Sequence, residues 1–378
     1  MTDSCDILVL GGGPAGSASA TMLSDAGYKV IILEREKFPR EHVGESLLPA
    51  SIPILEQIGV MPEIERAGFV TKHGATLVWG ADPEPWSWYF ADDPGQRPTS
   101  FQVVRSEFDD ILLKNASKHG VEVIEEAQVL DVIFENERAT GAVYLHEGSE
   151  KQVSARFVVD ASGQAALLSR KLGLLEWDTH FNNLAVYGYF KNARHLDSPN
   201  DGNIFIEAFE HGWLWKIPLH IGMDSVGAVV DKDVAHERLR ELGSDGFLLK
   251  QIEDAPHVTE LLENAELVGE SKVVRDWSYK STQFSGDGYI LVGDAACFVD
   301  PLFSSGVHLA LGSASLASTY VQTVLKDPLS RSQADQTYRD IYEKQYQYFH
   351  LTAQLFYGTN RTADSYFWEA RRILGDDS

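Results

Sequence analysis

Gly11, Gly13 and Gly16 stand at G-x-G-x-x-G spacing in Gly11-Gly12-Gly13-Pro14-Ala15-Gly16, directly after the apolar run Asp6-Ile7-Leu8-Val9-Leu10 and before a helix-like stretch from Ser17 to Ala26. Glycines so placed permit a tight turn at Gly11, let a pyrophosphate approach the backbone at Gly13, and let helix and strand pack closely at Gly16. The helix N-terminus adds partial positive charge. A second apolar strand, Lys29-Val30-Ile31-Ile32-Leu33, ends in Glu34, 18 residues beyond Gly16. That is close to the spacing of roughly 20 expected for a carboxylate that accepts from a ribose hydroxyl. With Pro14 and Ala15 inside the turn and Arg35 after the acid, these residues form a candidate dinucleotide site.

A second pattern, Gly212-Trp213-Leu214-Trp215-Lys216-Ile217-Pro218, suits shielding rather than bond making. Alternation puts Trp213, Trp215 and Ile217 on one side of a strand, with Pro218 ending it. With 8 Trp and 14 Pro in the chain, W-x-W-x-x-P is expected by chance about 0.006 times. An ordinary half-buried strand shows the same alternation, so both readings stand at this point.

Four further segments accompany these. Gly288-Tyr289-Ile290-Leu291-Val292 is an apolar strand that ends in Gly293-Asp294, and Arg156-Phe157-Val158-Val159 is another that leads into Asp160-Ala161-Ser162-Gly163. Arg105-Ser106-Glu107-Phe108-Asp109 opens a helix running to about Lys118, with Ser106 a candidate N-cap and Asp109 at N3. Gly44-Glu45-Ser46-Leu47-Leu48-Pro49 reads as a loop or a plain helix start.

The elements that must hold these residues predict an α/β chain, α+β overall. A Rossmann-like nucleotide domain is expected from 1–80, 99–175 and 276–333, with a substrate-side β-sheet domain from 81–98 and 176–275. A carboxy-terminal helical segment, 334–378, is expected to act as a lid. Strand patterns at Asn203–Glu207 and Ser225–Val230 and a helix from His236 fill the second domain. Tyr338, Tyr342 and Tyr346 recur at i, i+4, a spacing more typical of a packing stripe than of a binding face, and Phe367 and Trp368 follow.

Length, 44% hydrophobic and 23% charged residues suit a folded protein of two interlocked domains. No apolar run approaches the ~20 residues of a membrane span, and the N-terminus lacks the pattern of a secretory signal, so the cytoplasm is expected. Cys5 and Cys297 have no metal-ligand spacing, which predicts buried thiols and no metal. A net charge of -24 argues against nucleic acid and anionic membranes as partners.

The ordered set resembles the FAD-dependent aromatic monooxygenase superfamily. That resemblance implies FAD, with Gly293 and Asp294 at its ribitol, Arg105 near it, Gly44, Glu45 and Ser46 close to the isoalloxazine, and Asp160 among its contacts. Hydroxylases of the superfamily carry an Asp-Gly pair that also serves NAD(P)H. Here Ser162 replaces the acid if Gly163 aligns, so reduced FAD is expected from a separate flavin reductase.

The tryptophan pair, together with Phe298-Val299-Asp300-Pro301-Leu302-Phe303-Ser304-Ser305-Gly306 before a helix to Leu325, is similar to the flavin-dependent halogenases, in their phenol- and pyrrole-acting branch. This implies that reduced FAD and O2 form a hydroperoxide that oxidises chloride or bromide. The halide would bind at Ser305 and Gly306, Ser304 would belong to the catalytic loop, and Pro301 and Gly306 would lie against the flavin. Hypohalous acid would then reach Lys72, in Gly68-Phe69-Val70-Thr71-Lys72-His73-Gly74, while Trp213 and Trp215 keep the peroxide from the substrate. Phe303 stands where the tryptophan-acting enzymes carry a glutamate, and the chain lacks their extra length. Both points favour a phenol or pyrrole, free or tethered to an acyl carrier protein, with Trp86, Trp88 and Phe303 lining the substrate pocket. A monomer or homodimer is expected. The rival readings are an aromatic monooxygenase or flavin-linked reductase of the same superfamily, and a non-catalytic flavoprotein.

Overall fold

The computed structural model describes residues 3–80, 82–178, 180–275 and 278–360. Strand Asp3–Leu10 lies between Val30–Leu33 and Ser149–Asp160, parallel to both, and Glu122–Ile124 and Tyr289–Leu291 extend the parallel sheet on either side. Ile7 to Leu10 and Val30 to Leu33 are buried throughout rather than alternately, as a parallel sheet covered on both faces requires. Helices Pro14–Asp25, Arg105–Lys118 and Ser305–Lys326 pack together on this sheet. An antiparallel hairpin, Gln128–Glu135 with Arg138–His146, prolongs Ser149–Asp160.

A second, seven-stranded sheet runs in the order Glu266–Arg275, Asn183–Lys191, Met223–Asp231, Gly212–Leu219, Ile204–Phe209, Gly74–Val78, Trp86–Tyr89. It is antiparallel except where Ile204–Phe209 meets Gly74–Val78. Its two faces divide by strict alternation. Trp213, Trp215, Ile217 and Val229 join the core shared with the nucleotide sheet, while Leu214, Val226, Ala228 and Val230 join a separate cluster with Phe247 and Leu248 of helix Lys232–Glu253. Within segment 83–98, Trp86–Tyr89 pairs antiparallel with Gly74–Val78 at the edge of this sheet, so Gly74–Val78, before residue 80, also belongs to it.

Two local expectations change, and one open alternative is decided. Pro218 does not end its strand, which continues to Leu219 and pairs Pro218 with Asp224. The flanking strand Ile204–Phe209 is paired only up to Lys216, so Pro218 sits where the strand is bonded on one side, and a missing N–H is tolerated there. Ser106 is not the N-cap: the helix starts at Arg105 after Val104, and Asp109 pairs with Arg105 instead of capping. Residues 44–48 form a loop rather than a helix start, pinned by a bridge between Ser46 and Gln102.

The last described helix, Arg331–Thr359, packs on Ser305–Lys326. Its tyrosine stripe is a packing face. Tyr338, Tyr342 and Tyr346 are buried, and the first two donate to Leu291 O at 2.7 Å and Gly293 O at 3.0 Å. Phe367 and Trp368 lie outside the described residues. Among the described residues, no helix is long and apolar enough to cross a membrane. Cys5 and Cys297 are buried free thiols, both pushed up to about 12, mainly by burial.

Candidate functional site

A cavity of about 560 Å³ opens between the two sheets, a size typical of small-molecule sites. The glycine turn forms its floor. Gly11 has φ +103°, and a Cβ there would lie 2.5 Å from Ala161 O. A Cβ on Gly16 would lie 1.9 Å from Gly11 O, so this residue closes the turn from behind without lining the cavity. Gly13, Pro14 and Ala15 face the cavity. Glu34 accepts from Gly12 N at 2.7 Å and from Glu36 N at 2.8 Å, and its remaining lone pairs are free to accept from a ligand hydroxyl.

Cations line the same wall. Arg105 Nε and Nη2 donate to the two Asp109 oxygens at 2.8 and 3.0 Å, Arg40 adds a third bond to Asp109 at 2.9 Å, and Arg35 stands nearby. Burial alone would push the Asp109 carboxyl up, but Arg105 and Arg40 outweigh it and hold it below the usual carboxylate range. Two guanidinium groups on one carboxylate leave a net positive wall, suited to a pyrophosphate. Sequence reading missed Arg40, whose Arg40-Glu41-His42 context is that of an ordinary charged loop.

Gly44, Glu45 and Ser46 line the cavity. The Glu45 carboxyl is pushed up by burial, and it accepts from Tyr189 Oη at 3.1 Å and Gly44 N at 3.0 Å. Asp294 also lines the cavity, pushed up to about 7 by burial against the pull of Arg105, while Gly293 lies just behind it, bonded to Ser313 Oγ at 2.8 Å. Asp160 does not reach the cavity. Its two oxygens accept from Ser162 N at 3.0 Å and Leu168 N at 2.7 Å, so it shapes the 161–165 loop, which does line the cavity.

Trp213 and Trp215 stand on the opposite wall with ring centroids 6.0 Å apart, and Tyr187, another residue that sequence reading missed, lies 6.4 Å from Trp215. Pro301, Ser304 and Gly306 complete that side. The turn Pro301–Phe303 delivers Ser304 in the left-handed region, φ 56°, from which the 22-residue helix starts at buried Ser305 with no acid in its first turn. Such a terminus presents free N–H groups and partial positive charge to an anion.

Lys72 lies outside the cavity lining. It ends strand Val70–Lys72, is 2% exposed, donates to Leu47 O at 3.2 Å across the back of the 44–48 loop, and sits 5.2 Å above the Phe90 ring. Burial lowers its pKa to about 7. Phe90 in turn meets Trp88 at 5.6 Å. Trp86 and Trp88 are 41% and 37% exposed on the edge strand, whereas Phe303 packs against Phe356 at 5.3 Å, so these three side chains do not converge on the large cavity. Trp86 Nε1 donates to Trp79 O at 2.9 Å and Trp79 stacks on Phe356 at 5.0 Å, so Trp86 and Phe303 share one aromatic cluster, while Trp88 reaches Lys72 through Phe90.

The chain has known relatives of the same fold. The tryptophan halogenase family model matches residues 6–100 and 92–376. A tryptophan 2-halogenase of Chondromyces crocatus is 34% identical over all of this chain and 72% of its own length. The 1H-pyrrole-2-carbonyl-[peptidyl-carrier protein] chlorinase of Pseudomonas fluorescens is 37% identical over 86% of this chain and 78% of its own. The solved structure of the myxobacterial chondrochloren halogenase superposes with a TM-score of 0.94 at 43% identity, covering 98% of this chain and 86% of that one. The chain belongs to the flavin-dependent halogenases, a family of oxidoreductases.

Proposed function

We propose that the protein chlorinates or brominates an electron-rich phenol or pyrrole, using reduced FAD supplied by a separate reductase. The observation that carries this reading is the setting of Lys72, a buried amine bonded to Leu47 O of the loop whose residues 44–46 line the cavity and set over the Phe90 ring, which meets Trp88. The glycine turn, Glu34, Arg105 and Asp294 would hold the FAD, and reduced FAD supplies the electrons with which O2 oxidises the halide. Ser305 and Gly306 hold that halide at the helix terminus. Trp213 and Trp215 separate the oxidant from the organic substrate. Lys72, lowered to about 7 by burial, is a free amine in about half of the molecules at pH 7. It hydrogen-bonds hypohalous acid or takes up the halogen as a haloamine with loss of water, and the positioned halogen passes to the ring as the amine is regenerated.

The pyrrole-acting relative works on a carrier-bound ring, which supports a tethered substrate, whereas the relative named for tryptophan makes the free amino acid the necessary control. The protein, a flavin reductase, NADH, O2 and bromide or chloride are incubated with phenols, pyrroles, carrier-bound pyrrolyl groups and tryptophan. A halogen mass shift on a phenol or pyrrole is expected. A product with one added oxygen, formed regardless of halide, would defeat the reading in favour of a hydroxylase, and halogenation of tryptophan alone would defeat the substrate class.

A further inference from the structure

Trp213, Tyr357 and Asp300 come from three separate parts of the chain and meet in one buried hydrogen-bond relay. Trp213 Nε1 donates to Tyr357 Oη at 2.6 Å, Tyr357 Oη donates to Asp300 Oδ2 at 3.2 Å, and Asp300 Oδ1 accepts from Leu302 N at 3.0 Å. The polarity is fixed. An indole nitrogen only donates and a carboxylate only accepts, so the phenol in the middle must receive from Trp213 and give to Asp300. All three side chains are buried, where a satisfied polar network specifies one geometry and a broken one is costly.

What Asp300 holds is the turn Pro301–Phe303, which places Ser304 at φ 56° ahead of the helix. A non-glycine residue in that region persists only where its surroundings impose it. The last turn of helix Arg331–Thr359 therefore ties together two parts of the cavity lining, the tryptophan strand and the loop before the long helix. Tyr357 is bonded to the tryptophan wall and to the loop, and its ring meets Trp79 at 5.7 Å and Phe181 at 5.5 Å.

We infer that Tyr357 is a positioning residue: by bridging Trp213 to Asp300 it sets loop 300–306 in the conformation that binds the halide. The inference rests on the halogenase reading for the identity of the loop's ligand. Tyr357→Phe removes only the hydroxyl. It is expected to raise the chloride dissociation constant of the resting protein, read by chloride NMR line broadening, and the halide KM by about tenfold. The kcat at saturating halide and the FAD affinity should stay within about twofold, and the Trp213 indole N–H resonance should shift. Asp300→Asn, which keeps the side-chain size but reverses one end of the relay, is expected to weaken halide binding in the same sense and carries the same measurement if Tyr357→Phe does not fold. The double variant should cost less than the product of the singles. Halide constants unchanged in Tyr357→Phe, or halide and FAD affinity falling together as general loosening would produce, overturn the positioning role. A wild-type protein with no saturable halide dependence and no chloride broadening defeats the halogenase reading itself, and this inference with it.

Discussion

Lys72 and Lys216 are buried to nearly the same degree, 2% and 3% exposed, in two regions that treat an amine in opposite ways. Lys216 stands on the strand of the tryptophan pair but points to its other face, and its Nζ lies 2.5 Å from Asp224 Oδ1. Burial lowers its pKa, and Asp224 pulls it back towards the charged form. Lys72 has a carbonyl oxygen and an aromatic ring for neighbours and, among the described residues, no carboxylate within ion-pair distance, so burial acts unopposed and takes it to about 7. One lysine is half of an internal ion pair that holds two adjacent strands together. The other is left to burial alone and is about half deprotonated at neutral pH. Burial is common to both, and the neighbouring carboxylate decides which chemistry results.

The sharpest test of that contrast is Lys72→Ala, expected to lower halogenation by about 100-fold or more while FAD binding and oxygen consumption persist. Product formation at the wild-type rate would remove Lys72 from its proposed role. Next in size, Lys216→Met strands Asp224 in the interior, with the half-exposed His195 imidazole at 3.6 Å as its other basic neighbour. Denaturant melts should show a loss of about 3–5 kcal/mol, largely recovered in Lys216→Met with Asp224→Leu. A loss below about 1 kcal/mol would mean that the pair contributes little to holding the strands.

The pH dependence separates the two lysines further. Between pH 7 and 10.5 the unfolded chain binds a proton at Lys72 that the folded protein does not, so stability rises with pH across that window, and below pH 7 the full penalty of a buried charge applies. Lys72→Met should therefore be more stable than wild type by up to about 4 kcal/mol at pH 6, with the difference vanishing towards pH 10. A pH-independent difference between the two urea titrations would contradict the depressed pKa. The smallest effect is expected from Phe90→Leu, which withdraws a ring that favours the ammonium form and should move the lower limb of the pH–rate profile down by about 0.5 unit. An upward shift would show that the ring does not act on the charge.

Sequence legibility followed the range of the physics. The glycine turn was readable because its backbone demands are local: Gly11 at positive φ and Gly16 against a carbonyl are satisfied within six residues. The cationic wall was not, since Arg40 and Asp109 are separated by 69 positions and share a contact only after folding. Ser106 looked like an N-cap because nothing nearby reveals that Arg105 spends its guanidinium on Asp109. Asp160 looked like a ligand contact because the backbone amides that occupy its oxygens belong to a loop whose path the sequence does not display.

The sequence by itself determined the order of the flavin elements, the alternation that puts Trp213 and Trp215 on one face, and the tyrosine stripe as a packing surface, because these follow from periods of 2.0 and 3.6 residues and from glycine sterics. Only the tertiary structure decided which wall each residue occupies, that among the described residues Lys72 has no acid partner while Lys216 has one, and that Tyr357 joins the tryptophan wall to the loop before the long helix. Desolvation and hydrogen bonding depend on neighbours brought together from distant parts of the chain, and no local pattern encodes them.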